Sequence, residues 1–298
     1  MRSLLLVPAD APQDLERALG SGADALVLDL EDSVAPAAKV RARRGAAEFL
    51  RTARARPSAP RLWVRVNGAA TGLLDDDLAA IVPEAPAGVM LPKAAGGTDI
   101  VRLAAKLAVA EAEAGIADGA TKIIAIATET AAALFAMGTY AESSPRLAAL
   151  TWGSEDLAAD LGAETNRLRD GSYAEPYRLA RSLTLAAAAA AEVPAIDSIY
   201  TRYRDLDGLW TDAEAARRDG FGGKLAIHPD QVSVINTVFT PSAATVAAAR
   251  AVVEAFAAHP EDGVVFHEGR VLDRSHLKQA DGILRRAAAA GTESPQQP

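Results

Sequence analysis

The stretch DALVLDLEDSVAP, residues 24–36, carries the key to the fold. Ala25 to Leu28 form an uninterrupted aliphatic run, Asp29, Glu31 and Asp32 close it with carboxylates, and an amphipathic segment over 37–53 follows. Length and periodicity read this as a buried strand feeding a helix. Working outward, the same pattern recurs at 4–8, 25–31, 62–67, 88–93, 122–129, 147–153, 195–200 and 223–229, with helical sequence between most of the runs. Parallel strands need a crossover between them, usually a helix, so the alternation implies βα units and a parallel sheet. Eight such units predict an α/β protein built as a (β/α)8 TIM barrel.

Further helices are expected over 98–115, which opens at Thr98 and stops at Gly115, and over 173–192, where the alanine run 186–191 has strong helix propensity. After the eighth strand come an alanine-rich helix at 243–259, a hairpin-like run VVFHEGRVLD at 264–273 and a last helix. Barrel closure does not need these. The expected organisation is therefore a barrel domain over 1–240 and a C-terminal helical extension over 241–298, ending in a frayed polar tail from Gly291.

At 298 residues the chain suffices for one such barrel, and its 50% hydrophobic and 23% charged composition is that of a soluble globular protein. A net charge of −8 provides no basic field for a nucleic-acid backbone, so no nucleic-acid partner is expected. The absence of cysteine excludes disulfides, thiolate nucleophiles and cysteine-ligated zinc, and fits a cytoplasmic location. The apolar run in MRSLLLVPAD is too short for a signal sequence or a membrane span, and no membrane partner is expected.

Barrel chemistry sits at the carboxyl ends of the strands. There the sequence places Asp29, Glu31 and Asp32 after the second strand, Arg65 and Asn67 after the third, Lys93 after the fourth and Glu129 after the fifth. Glu155 and Asp156 follow the sixth, Asp197 and Tyr200 lie on the seventh, and His228 ends the eighth. One such residue alone is most often a helix cap or a solvated charge. Convergence on one mouth points to a site. Glu129 and Asp156 on adjacent strands offer hard oxygen ligands, which suit Mg²⁺, with Mn²⁺ able to replace it, better than zinc. The planar guanidinium of Arg65 can grip a carboxylate or an enolate oxygen in two-pronged fashion. A carbonyl polarised between metal and arginine would stabilise the charge that develops when an adjacent carbon–carbon bond breaks. The alternative for Arg65 is a buried salt bridge with Asp29 or Glu31.

The ordered pieces RSLLLVP, DALVLDLEDSVAP, KVRAR, RVN, LPK, ATET, WGSEDLAADLG and GGKLAIHPDQV resemble the citrate lyase β-subunit-like branch of the HpcH/HpaI aldolase superfamily, which includes malyl-CoA, β-methylmalyl-CoA and citramalyl-CoA lyases. The resemblance runs from Arg2 to about Ala280. It implies that Glu129 and Asp156 are the Mg²⁺ ligands and that Arg65 binds substrate and stabilises an enolate. Glu31 and Asp32 would orient Arg65 and the metal waters, or cap the next helix. Lys39 and Arg41 would hold the phosphates of coenzyme A or the helix itself, and Lys93 is counted with the substrate-binding residues. GRVLD resembles the family's C-terminal lid, in which an aspartate reaches the neighbouring subunit's site. That makes Asp273 the general acid or base and implies a homotrimer or hexamer with exchanged lids. His276 reads as a helix-start residue, and His228 as structural.

The implied reaction is lysis or formation of a 3-hydroxyacyl-CoA acid, with coenzyme A as part of the substrate and glyoxylate or pyruvate as the α-keto acid. The alternatives are a malyl-CoA thioesterase and a β subunit working with an acyl-carrier partner. The chain departs from the family's pattern at Thr128 before Glu129 and in the alanines at 131–133. It also has no histidine near the LEDS segment, which argues against a class II pyruvate aldolase.

Overall fold

The computed structural model describes residues 1–56 and 59–291, so the expected polar tail lies outside the described residues from position 292 on. The eight runs form β1 (Ser3–Pro8), β2 (Ala25–Asp29), β3 (Arg61–Arg65), β4 (Gly88–Leu91), β5 (Lys122–Ile126), β6 (Leu147–Thr151), β7 (Ala195–Asp197) and β8 (Gly223–Ala226). Each pairs in parallel with the next, and β1 also pairs with β8, so the sheet closes into a barrel in chain order. Several strands stop before the polar residues that end the sequence runs. In β2 the reason is local: the Glu31 N–H bonds back to Asp29 Oδ1 at 2.9 Å and turns the chain.

The outer layer consists of α1 (Pro12–Leu19), α2 (Lys39–Arg54), α3 (Leu74–Ile81), α4 (Gly97–Glu113), the short α5 (Ala131–Leu134), α6 (Ser154–Leu161), α7 (Glu175–Ala190), α8 (Leu206–Asp219) and α9 (Pro229–Phe239). Side chains alternate across each strand. Val27, Trp63, Met90, Ile124, Ile196 and Leu225 fill the barrel interior, while Leu26, Leu28, Val64 and Val89 pack outward against the helices. The inner layer needs Gly88, because a Cβ there would lie 2.3 Å from Trp63 Cζ3. The same parity aims functional groups. Asp29 and Arg65, two residues beyond Val27 and Trp63, point inward at the carboxyl end of the barrel.

Beyond α9 the chain adds α10 (Ala243–Ala257), a hairpin of β9 (Val264–His267) and β10 (Arg270–Asp273), and α11 (Arg274–Ala289). Phe256, Val265 and Leu272 form a small core of their own, separate from the barrel interior. The opposite face of the hairpin leaves Val264, Phe266 and Val271 exposed, Phe266 by 83%. By composition, Pro229–Ala257 is long and apolar enough to cross a membrane. The run divides at Thr240 and Pro241 into α9, which packs on α8, β8 and β1, and α10, which packs on α11.

Candidate active site

The loops after β2, β3, β4, β5 and β6 bring the charged groups together. Arg65 donates from Nε to Asp29 Oδ1 at 2.7 Å and from Nη2 to Asp29 Oδ2 at 2.5 Å, and its Nη1 lies 3.2 Å from Glu31 Oε2. Asp29 is itself held by the backbone N–H groups of Glu31 and Ser33. Burial would push the Asp29 carboxyl up, but the bonds and charge of Arg65 outweigh it and hold the group below the usual carboxylate range. Burial would likewise lower the Arg65 guanidinium, and Asp29 more than compensates. Of the two sequence readings of Arg65, the salt bridge is the one these contacts show. It is buried, and the remaining N–H groups of Nη1 and Nη2 are left for the cavity that Arg65 lines.

Glu129 is buried three residues beyond β5, and Asp156 is partly exposed in the first turn of α6. Burial, and then the charge of Asp156, push the Glu129 carboxyl up to about 8. Its Oε2 accepts the backbone N–H of Lys93 at 2.5 Å. Two carboxylates set close together in a partly dry site repel unless a cation lies between them. Among the described residues no group of three or more histidine, cysteine or acidic side chains is arranged to hold a metal. A sparse, all-oxygen pair is what Mg²⁺ accepts, since it takes one or two carboxylates and fills its octahedron with water and substrate oxygens. The residues present therefore fit that ion. Arg65, Glu129 and Asp156 share one cavity of about 240 Å³, walled by Leu6, Ile126, Trp152 and Leu225.

The other candidates are distributed unevenly. Lys93 Nζ contacts Glu31, Asp32 Oδ2 at 3.0 Å and Asp156 Oδ1 at 3.4 Å, so Glu31, Asp32 and Lys93 all border the mouth. Burial raises the Glu31 carboxyl, opposed by Arg65 and Lys93. Lys39 Nζ donates to Leu30 O at 2.6 Å, Glu31 O at 2.7 Å and Asn67 Oδ1 at 2.8 Å, which staples the β2–α2 loop to the end of β3. Arg41 reaches Asp10 at 3.0 Å on the exposed side of α2.

Asp273 does not line the cavity of its own chain. It caps α11, with Oδ1 accepting from Ser275 N at 2.9 Å and lying 2.7 Å from His276 Nδ1. These hydrogen bonds hold its carboxyl far below the usual range. His276 completes that cap, as expected of a helix-start residue. His228 caps α9 and stacks on Tyr203.

Asp197 requires a correction. It ends a strand, yet it sits beside the inward-facing Ile196 and so points into the helix layer. There it accepts from Lys224 Nζ at 2.5 Å and Trp152 Nε1 at 2.8 Å. Tyr200 also turns from the mouth, its hydroxyl donating to Asp205 Oδ2 at 2.7 Å. Ser33, Trp152 and Ser198 line the cavity without having been singled out. Ser33 and Trp152 lie within the quoted stretches DALVLDLEDSVAP and WGSEDLAADLG, and Ser198 lies inside the seventh run.

Fold and site together define a barrel enzyme whose carboxyl end presents a carboxylate pair and an anchored guanidinium. Residues 2–229 match the HpcH/HpaI aldolase/citrate lyase family, and the chain belongs to this family of carbon–carbon lyases. An L-malyl-CoA/beta-methylmalyl-CoA lyase of Cereibacter sphaeroides is 32% identical over 305 residues, covering 96% of this chain and 94% of its own length. A (3S)-malyl-CoA thioesterase of the same species is 34% identical over 291 residues, covering 97% and 95%. Among solved structures, CitE of Mycobacterium tuberculosis in complex with magnesium, acetoacetate and coenzyme A superposes with a TM-score of 0.78 at 33% identity, covering 96% of this chain and 98% of that one.

Proposed function

We propose that this chain is a Mg²⁺-dependent CoA ester lyase that cleaves or forms the carbon–carbon bond of a 3-hydroxyacyl-CoA acid of malyl, β-methylmalyl or citramalyl type. The observation that carries the reading is the convergence of Glu129, Asp156 and the Asp29-anchored Arg65 on one cavity. The magnesium and coenzyme A bound by the CitE structure support it.

Glu129 and Asp156 would hold the Mg²⁺, which when bound supplies a Lewis acid that polarises substrate oxygens. Arg65 meets the thioester carbonyl oxygen. As the bond to the α-carbon breaks, charge grows on that oxygen, and the guanidinium is already oriented to receive it. Asp29 fixes the guanidinium plane from one side and Glu31 from another, so little reorganisation accompanies the step. The apolar wall of Leu6, Ile126 and Leu225 limits water.

The substrate's 3-hydroxyl gives its proton to a base at the mouth as its carbon becomes the carbonyl of the keto acid; the acyl-CoA enolate released then takes a proton on carbon, or in the condensation direction the acyl-CoA gives one up, and Asp273 of a neighbouring copy is the proposed partner in that second exchange. Its exposure beside Val264, Phe266 and Val271 supports a lid that docks on another subunit of a homotrimer or hexamer. Arg41, exposed on α2, is the better placed of the basic pair to meet the coenzyme's phosphates, because Lys39 is fully engaged in the loop.

Attack by water on the thioester in the same pocket would make a malyl-CoA thioesterase. The 34% identity to such an enzyme, against 32% to the lyase, keeps that second reading in view. The test incubates the purified chain with malyl-, β-methylmalyl- and citramalyl-CoA, with Mg²⁺ or EDTA. Glyoxylate or pyruvate appearing with an acyl-CoA supports lysis, whereas free hydroxy acid with CoA supports hydrolysis. Inertness on all three, relieved by an acyl-carrier protein, would replace both with a subunit role.

A further inference from the structure

We infer that Lys93 is a resident counter-ion of the carboxylate mouth, which competes with the divalent cation and so sets how tightly this chain holds it. The inference rests on the metal reading above. Lys93 touches both carboxylates of the proposed metal pair, through different groups: its backbone N–H donates to Glu129 Oε2 at 2.5 Å, and its ammonium lies 3.4 Å from Asp156 Oδ1. It makes both contacts at φ +53°, in the left-handed region that residues other than glycine, asparagine and aspartate rarely occupy. Strain of this kind in a non-glycine residue persists where surrounding contacts over-determine it, and such sites cluster where proteins function.

Charge gives the strain a purpose. Asp29, Glu31, Asp32, Glu129 and Asp156 crowd this mouth, and among the described residues the side-chain cations that pair with carboxylates of the group are Arg65 and Lys93. Arg65 lies against Asp29 and Glu31, so Lys93 is the cation that contacts Asp156. A divalent cation between Glu129 and Asp156 would meet the ammonium at a separation of a few ångströms, where like charges repel even near water.

The geometry also shows where Lys93 yields. Its contact with Asp156 is longer than those with Glu31 and Asp32. The ammonium can therefore step off Asp156 and keep both other partners, while the backbone N–H stays on Glu129. Metal affinity is then the intrinsic affinity of the pair, reduced by the repulsion and by the lost Lys93–Asp156 contact.

The experiment titrates Mn²⁺ into the substrate-free full chain and follows the free ion by electron paramagnetic resonance, comparing wild type, Lys93→Met and Lys93→Arg. Lys93→Met is expected to bind Mn²⁺ about tenfold more tightly than wild type, the scale of one like charge removed from a partly solvated site. Lys93→Arg, which keeps the charge, should stay near wild type. If Lys93→Met does not fold, Lys93→Gly removes the charge and the left-handed strain together and should tighten binding by the same factor. Unchanged or weaker binding in the neutral variant, with wild type binding normally, overturns the counter-ion role and leaves the metal reading standing. A wild-type chain that binds no Mn²⁺ overturns both.

Discussion

Substituting Gly153 by alanine probes how closely Glu129 is seated, and the size of the effect can be worked from distances. A Cβ at Gly153 would lie 2.7 Å from Glu129 Cγ and 3.1 Å from Oε1. Favourable carbon–carbon contact begins at about 3.5 Å, so the Glu129 side chain would have to retreat by roughly 0.8 Å. The backbone is not the obstacle: Gly153 has φ −123° and ψ 122°, extended values that alanine adopts freely. Retreat is opposed because Oε2 is tied to Lys93 N and the side chain is buried. Overpacking of this sort costs about 1–3 kcal/mol of stability, and misplacing a reacting or ligating group by about 1 Å costs about 100-fold in turnover. Gly153→Ala should therefore fold, melt at a moderately lower temperature and lose about two orders of magnitude in kcat, with weakened Mn²⁺ affinity. Steady-state kinetics beside thermal unfolding and Mn²⁺ titration measure all three. Wild-type turnover and affinity in Gly153→Ala would refute the argument that Glu129 rests against this backbone as a ligand.

Three further outcomes are expected. With the Glu129 carboxyl at about 8, that one group is mostly protonated at pH 7 before the cation arrives, so binding Mg²⁺ there should release roughly one proton, fading as the pH is raised well above 8. Calorimetry in buffers of different ionisation enthalpy measures this, and buffer-independent heats at pH 7 would contradict it. Far from the mouth, buried Glu111 bonds Arg146 at 2.7 and 2.9 Å; burial opposes its charge, but these bonds win and lower its carboxyl to about 2 from the ordinary 4.5. A depressed carboxylate stabilises the fold above its unfolded pKa, and that contribution is lost as the pH falls from 4.5 toward 2. Glu111→Gln should cost about 1–3 kcal/mol at pH 7, because it removes the buried charged partner of Arg146 and leaves it the exposed Asp118 carboxylate and the Thr121 carbonyl, and urea melts should show the gap to wild type narrowing through that acid window rather than staying constant. Finally, Asp273→Asn and Glu129→Gln, each inactive alone, should regain activity when co-assembled, since an exchanged lid pairs an intact Asp273 with an intact metal pair; mixed oligomers that stay inactive would sink the exchange.

The strands were legible because each centres on a short aliphatic run, even where a charged residue such as Lys224 interrupts it, and the barrel followed from their number. The ends were not, because where a strand stops depends on contacts such as Glu31 N–H to Asp29, which composition does not reveal. Arg65 and Asp29 could be paired from strand parity, two residues beyond Trp63 and Val27. Parity also explains the misreading of Asp197: occupying a strand end does not fix the face, and its inward neighbour Ile196 sends it toward Lys224. Lys39 and Lys93 were hardest to assign. A lysine's long stem reaches across loops, and only the folded chain shows that one ammonium staples Leu30, Glu31 and Asn67 while the other crosses to Asp32 and Asp156.

Anomalous diffraction from a crystal of the full chain grown with Mn²⁺ bears most directly on the carboxylate pair as a metal site. One strong peak is predicted at the carboxyl end of the barrel, about 2.1 Å from an oxygen of Glu129 and an oxygen of Asp156. The absence of a peak between those two side chains, or a peak held by other residues of the mouth, would contradict it.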